Sequence, residues 1–115
     1  MIIKKDSMRL EIKTNMRGGE GDIKLLHLAE GANLVNSRLL SYVTIAPGCS
    51  IGNHEHKNET EYYIILNGDG VVVDDGVEKS VGKGDLVITG GGASHSIRNS
   101  GGIDLELIAV IILEK

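Results

Sequence analysis

The stretch that decides the fold is residues 48–68, GCSIGNHEHKNETEYYIILNG, which contains His54, His56 and Glu61. Side chains two positions apart on a strand project from the same face, so His54 and His56 can bind one ion. Glu61 lies five residues after His56, and this odd spacing would place it on the opposite face of a straight strand. A turn through residues 57–60 would return Glu61 to the same interior at the start of the next strand.

A second stretch, residues 84–99 (GDLVITGGGASHSIRN), brings His95 from a distant part of the chain. Three imidazoles and one carboxylate around a common point would form a site for a divalent first-row metal. A lone His-x-His pair is more often a pair of surface residues. The glycines that surround both stretches at fixed spacing are what favour a metal site here.

The remainder of the chain predicts an all-β fold. Short apolar or alternating stretches recur roughly every 8–12 residues with turn residues between them, which is typical of sandwiches and barrels. Helical periodicity is not sustained beyond roughly ten residues anywhere in the sequence. Strands are predicted over residues 9–13, 23–28, 38–46, 61–66, 71–73, 77–81, 86–89, 95–99 and 103–113.

The composition narrows the class of protein. A chain of 115 residues with 41% hydrophobic residues fits one domain, residues 1–115, with a core that needs no disulfide. A net charge of −4 without a basic cluster argues against nucleic-acid binding. No apolar run approaches the roughly 18 residues of a membrane span, and no signal peptide is evident, so we expect a cytoplasmic protein. His27 and the single Cys49 are predicted to be structural.

The two motifs, G-x5-H-x-H-x4-E-x6-G and G-x5-G-x-G-x2-H-x3-N, resemble the paired motifs of the cupin superfamily. The chain departs from the second motif at Gly90, where the family usually has proline. The resemblance implies a double-stranded β-helix barrel, related to the jelly roll, with a metal inside its mouth. It also implies that the ligands are His54, His56, Glu61 and His95. The whole chain resembles a small single-domain cupin, like one domain of oxalate decarboxylase-like proteins.

The charge of this ligand set suggests what else binds. Three neutral imidazoles and one carboxylate around a dication leave a net charge of +1, and a six-coordinate ion keeps two positions open. A small anion with two oxygens, such as oxalate, would fill both positions. One divalent ion per chain is expected. Manganese is favoured, as in oxalate decarboxylases and oxidases, with iron, nickel, cobalt or zinc as alternatives.

The sequence leaves three functions open. The first is a manganese- or iron-dependent decarboxylase or dioxygenase that acts on a small carboxylate. The second is a sugar or sugar-phosphate isomerase or epimerase, and the third is a non-catalytic module that binds a small molecule. No residue is assigned as the catalytic acid or base.

The substrate-binding residues are less well marked. Tyr63 lies two residues after Glu61, so its hydroxyl is predicted to face the same interior and to bond a ligand. The arginine that precedes the His-x-His pair in oxalate decarboxylases has no counterpart among residues 49–53. Arg17, Arg38 and Arg98 remain as substitutes, and Arg98 is expected to point outward.

The last predicted strand, residues 103–113, indicates an interface. It is apolar on both faces, and a strand of this kind must be covered on both. No predicted helix can cover the outer face, so a second copy of the chain is expected to do so. The sequence therefore predicts a homodimer.

Overall fold

The computed structural model describes residues 1–114, which form two antiparallel sheets packed into a β-sandwich, or barrel. This all-β architecture confirms the predicted fold class. The larger sheet has six strands in the order β1-β2-β3-β10-β5-β8, and the smaller sheet has four in the order β4-β9-β6-β7. The strands are β1 (Arg9–Thr14), β2 (Asp22–His27), β3 (Ser37–Ile45), β4 (Ser50–Glu55), β5 (Glu59–Asn67), β6 (Asp69–Asp74), β7 (Val77–Gly82), β8 (Leu86–Gly90), β9 (Ser94–Asn99) and β10 (Leu105–Leu113).

The core lies between the two sheets and is built from alternate residues of each strand. Along β10, Leu105, Leu107 and Ala109 point inward, opposite Ile45, Val43 and Ser41 of β3. Aliphatic side chains dominate because the chain has no Phe or Trp. The fully buried large hydrophobic residues are Ile23, Leu25, Val43, Ile45, Ile65, Val72, Ile97, Leu105 and Leu107.

Strand β4 was not predicted from the sequence. Its only large apolar residue is Ile51, and it contains Gly52, so it lacks the alternation that marks a half-buried strand. Pairing with β9 holds it in place, with Ile51 opposite Ile97, and the register shifts before His54. Tertiary pairing has therefore outweighed a weak local strand preference.

Three predicted strand starts were displaced by two residues, and one of them is that of β6, which begins at Asp69 and not at residue 71. Strand β5 begins at Glu59, two residues before the predicted start, because Thr60 still pairs with Gly90 of β8. Strand β10 begins at Leu105, so Ile103 and Asp104 belong to the preceding loop. Within the described residues, no helix has the length and apolar character required to cross a bilayer.

Gly68 and Gly76 give a matched test of how tightly the turns are packed. Both have a φ of +87°, a conformation that costs an alanine about 1–2 kcal/mol. A Cβ at Gly68 would lie 2.6 Å from the Asp104 carbonyl oxygen and 2.9 Å from Leu105 Cα, whereas one at Gly76 would meet nothing within 4 Å. We expect Gly68→Ala to lower the free energy of unfolding by about 1–3 kcal/mol more than Gly76→Ala. Urea titration measures both, and equal losses would contradict the packing argument.

Candidate metal centre

The structure brings the four predicted ligands together at one end of the sandwich. His54 comes from the end of β4, His56 follows that strand, Glu61 lies on β5 and His95 lies on β9. One ligand atom from each residue lies within 4.8 Å of the others. Antiparallel pairing places His54 directly opposite His95, so the smaller sheet supplies three ligands and the larger sheet one. The turn at residues 56–58 brings the Glu61 side chain to the same interior as the histidines, despite the odd spacing between Glu61 and His56.

The distances between these ligand atoms are short. His95 Nε2 lies 3.0 Å from both His56 Nε2 and His54 Nε2. Glu61 Oε1 lies 2.9 Å from His56 Nε2, 2.9 Å from His95 Nε2 and 3.7 Å from His54 Nε2. Ligand atoms about 2.2 Å from one ion and at right angles to each other would lie about 3.1 Å apart. These separations would allow one first-row metal ion to contact all four atoms.

Each imidazole is fixed by a bond to its outer nitrogen. His54 Nδ1 donates to the Gly52 carbonyl oxygen at 2.8 Å, and His56 Nδ1 donates to Glu59 Oε2 at 2.6 Å. His95 Nδ1 lies 2.8 Å from Thr89 Oγ1, which can accept its proton. These bonds leave the three Nε2 lone pairs directed at the common centre. Outer partners of this kind set the tautomer and orientation of metal-binding histidines.

Glu61 is the buried charge of the site. Burial alone would raise the pKa of this carboxyl, but the three surrounding imidazoles outweigh it and hold the pKa well below its ordinary value. Its Oε1 atom has no hydrogen-bond donor, because the neighbouring Nε2 atoms carry no proton in the tautomers described above. A buried carboxylate oxygen without a donor is costly. The donor set and this unpaired oxygen both fit a bound divalent cation.

The pKa values of His56, His95 and Glu59 are also shifted by their surroundings. Burial would lower the pKa of His56, but the nearby carboxylates of Glu61 and Glu59 outweigh it and raise the pKa. Burial lowers the pKa of His95. The Arg38 guanidinium, with a smaller effect from His56, lowers the pKa of Glu59 to about 2.

A small cavity of about 80 Å³ is lined by three of the four predicted ligands, His54, His56 and Glu61. Its wall contains three basic side chains, which come from β1, the following turn and β3. Tyr63 also lines it and stacks on the His95 ring, with centroids 4.8 Å apart. The lining residues are Lys13, Met16, Arg17, Leu25, His27, Arg38, Leu39, His54, His56, Glu61, Tyr63 and Ile111.

The other residues singled out in the sequence have clear positions. Tyr63 faces the interior as predicted, and burial, together with the nearby Glu61 carboxylate, raises the pKa of its hydroxyl well above the ordinary value. Arg98 points away from the cavity and bonds Glu78. His27 is buried, with Nε2 2.8 Å from Glu11 Oε1 and Nδ1 2.6 Å from Ser41 Oγ.

Sequence reasoning missed the residues that support the ligands. Glu59 lies three residues after His56, and that spacing across a turn was a usable signal. Thr89 could not have been found locally, since it reaches the site only because β8 pairs with β5, opposite Glu61. In the basic wall, Arg17 and Arg38 had been named from the sequence, but Lys13 was missed. The proximity of Arg38 to the other two could not be predicted, because it comes from a different strand.

The sequence of this chain is similar to those of known proteins. Residues 41–111, which contain all four ligands, match the family described as the cupin domain. The chain is a cupin. It is 41% identical to the oxalate-binding protein of Thermotoga maritima over 98% of this chain and 94% of that protein.

Solved structures agree with this assignment. A crystal structure from Thermotoga maritima, described as a predicted oxalate decarboxylase, superposes on this cupin with a TM-score of 0.92 and 41% identity, covering 98% of this chain and 99% of that one. A cupin described as a sugar phosphate isomerase from Silicibacter pomeroyi gives a TM-score of 0.78 at 19% identity, covering 97% of this chain and 75% of that one. At that identity, the second likeness shows the fold alone.

The bond between Glu59 and His56 predicts how metal affinity depends on an outer partner. Glu59→Gln is expected to weaken binding of Mn²⁺ about 10- to 100-fold, because the His56 ring loses the charged acceptor that orients it. Glu78→Gln is the matched control, since Glu78 bonds Arg98 outside the site. Competition with a chelator measures both affinities. Equal affinities for Glu59→Gln and Glu78→Gln would show that the bond does not support the site.

Proposed function

We propose that this cupin binds a small dicarboxylate, with oxalate favoured, through one divalent metal ion held by His54, His56, Glu61 and His95. Manganese is the favoured ion, and iron, nickel, cobalt and zinc are alternatives. The observation that carries the proposal is the convergence of three imidazole nitrogens and one carboxylate oxygen at the wall of a small cavity. The relative named oxalate-binding protein supports this choice of ligand.

The charge balance of the site favours an anion. With a dication in place, the three imidazoles are neutral and the Glu61 carboxylate contributes one negative charge, so the centre keeps a charge of +1. Lys13 and Arg17 add positive charge in the same wall, whereas the charge of Arg38 is balanced by the Glu59 carboxylate. A dianion that binds the open coordination positions is stabilised by both the ion and these side chains.

The size of the cavity favours a small ligand. A volume of about 80 Å³ is well below the roughly 300–1,000 Å³ that is typical of pockets for drug-sized ligands. This space suits a two-carbon dicarboxylate and is small for a sugar phosphate. In this proposal, the Tyr63 hydroxyl borders the open coordination positions and bonds the ligand or a metal-bound water.

We extend the proposal to catalysis as a second step. A bound manganese or iron ion would polarise a coordinated carboxylate, which is the chemistry that decarboxylation or dioxygenation of a small carboxylate requires. The alternative is binding without turnover, which the name of the Thermotoga relative also fits. An isomerase acting on a sugar or sugar phosphate stays a further alternative.

The central prediction is that oxalate binding requires the metal. Protein loaded with Mn²⁺ is expected to bind oxalate and to melt at a higher temperature in its presence, because a ligand that binds only the native state stabilises it. Chelator-treated protein and the His95→Ala variant should show neither effect. Calorimetry and thermal melts measure both, and metal-independent oxalate binding would overturn the proposal. Assays for CO₂ and formate, with and without O₂, then separate turnover from binding.

The outer face of the six-stranded sheet supports a homodimer, which is our proposal for the assembly. Residues that alternate with the buried ones point outward, and every strand of this sheet contributes apolar residues to that face, although Lys24, Thr44 and Glu106 also lie on it. Several are more than a third exposed although large and apolar, and a continuous patch of this kind is rare on a monomer. The outward apolar residues include Leu10, Ile12, Leu26, Leu40, Tyr42, Tyr62, Ile64, Leu86, Ile88, Ile108, Val110 and Ile112.

Sedimentation at micromolar concentration tests the dimer. The expected mass is near twice the 12.3 kDa of one chain. Ile64→Lys should shift it toward one chain, because a charge in the middle of the apolar face cannot be buried without a partner. Val77→Lys changes an exposed apolar residue of the smaller sheet, 57% exposed against 42% for Ile64, and should leave the dimer intact. A wild-type mass near 12.3 kDa would rule the dimer out.

A further inference from the structure

Arg17 differs from the other arginines of the chain in having no carboxylate partner. Arg9 bonds Glu30, Arg38 bonds Glu59 and Arg98 bonds Glu78. The side chain of Arg17 makes no salt bridge or hydrogen bond with any of residues 1–114. A guanidinium has five N–H donors, so Arg17 keeps its full capacity to bind an anion.

Arg17 is also positioned at the candidate site. It lines the same cavity as His54, His56 and Glu61, and its side chain is exposed at the cavity mouth. Arg38 lines this cavity too, but both Nε and a terminal nitrogen are bonded to Glu59 at 2.7 Å. Among the arginines of the cavity, Arg17 is therefore the one whose donors are available to a ligand.

The backbone at Arg17 is held in an unfavourable conformation. Its φ of 56° and ψ of 28° lie in the left-handed region, which a side chain larger than glycine or asparagine seldom adopts. The turn that contains it packs directly on β4. A Cβ at Gly52 would lie 2.1 Å from the Arg17 carbonyl oxygen, and a Cβ at Gly19 would lie 2.2 Å from that of Ser50.

Gly19 and Gly52 thus allow the backbone of the Met16–Gly18 turn to contact the backbone of β4. The contact at Gly52 lies two residues before His54. Strained residues persist only where the surrounding structure over-determines them, and they are concentrated at ligand sites. Neither the core nor any ion pair of the described chain uses the Arg17 side chain. The strained turn places the guanidinium of Arg17 at the cavity.

We propose that Arg17 binds the carboxylate oxygens of the ligand that do not contact the metal, on the side of the ligand that faces the cavity mouth. This inference rests on the proposed function and adds a residue that determines specificity. Arginine binds a carboxylate through two parallel N–H···O bonds, which lysine cannot reproduce. A monocarboxylate bound to the metal has no second group to offer Arg17, so the residue selects dicarboxylates. Arg17 takes the role that an arginine before the His-x-His pair would otherwise have.

The test compares Arg17→Gln with Arg98→Gln in protein loaded with Mn²⁺, using oxalate and acetate as probes. Each variant removes one guanidinium, but Arg98 lies on the outward face of β9, away from the cavity. Arg17→Gln should weaken oxalate binding about 10- to 100-fold, the range for a lost charged hydrogen-bonding group, and leave acetate affinity and manganese content unchanged. Arg98→Gln should change none of these quantities. Isothermal titration calorimetry measures both ligands.

Two further variants guard against a folding defect. Arg17→Asn removes the guanidinium while placing at φ 56° a residue that tolerates this region, as Asn15, Asn36 and Asn58 do in the same chain. It should melt no lower than the wild type and still lose oxalate affinity. Arg17→Lys keeps the charge without the planar fork and should give an intermediate affinity.

The outcomes separate this inference from the proposed function. If the wild type binds oxalate with metal and Arg17→Gln binds it equally well, the role of Arg17 is refuted and the proposed function stands. A parallel loss of oxalate and acetate affinity in Arg17→Gln would also refute the selectivity. If the metal-loaded wild type binds no oxalate, the proposed function fails and the role of Arg17 fails with it.

Discussion

The burial of one carboxylate among three imidazoles is the constraint on which the rest of this structure depends. Glu61 is 3% exposed, and an ionised carboxylate at that depth is strongly unfavourable unless charge and hydrogen bonds compensate. A divalent cation would provide this compensation if each ring presents an unprotonated Nε2 to it, and Glu59, Thr89 and the Gly52 carbonyl fix that choice. The strands must hold their register for these bonds to form. The sandwich thus holds the side chains of His54, His56, Glu61 and His95 in fixed positions.

Much of this could be read from the sequence, because the ligands lie at spacings that strand geometry interprets directly. His54 and His56 share a face through the two-residue period, and the short turn before Glu61 corrects its parity. The strands with strong alternation or continuous apolar character, such as β3 and β10, were also predictable. In each case the information is local, within one strand and its adjacent turn.

The parts that could not be predicted depend on which strands become neighbours. Strand β4 has one large apolar residue, and it is a strand because β9 pairs with it. Thr89 supports His95 only because β8 lies beside β5. The basic wall of the cavity combines β1, the turn at Met16–Gly18 and β3, and no spacing in the sequence reports that proximity. Pairing of distant segments is a property of the whole fold.

The central position of β10 has a consequence for how the chain folds. This strand lies between β3 and β5 in the larger sheet, yet it follows both of them in the sequence. Until it docks, two apolar strands keep unpaired edges, and closing such long loops makes folding slow. During synthesis, β10 leaves the ribosome after every other strand described here. The unfinished sheet is thus exposed to aggregation for that interval, and protection by chaperones would matter most then.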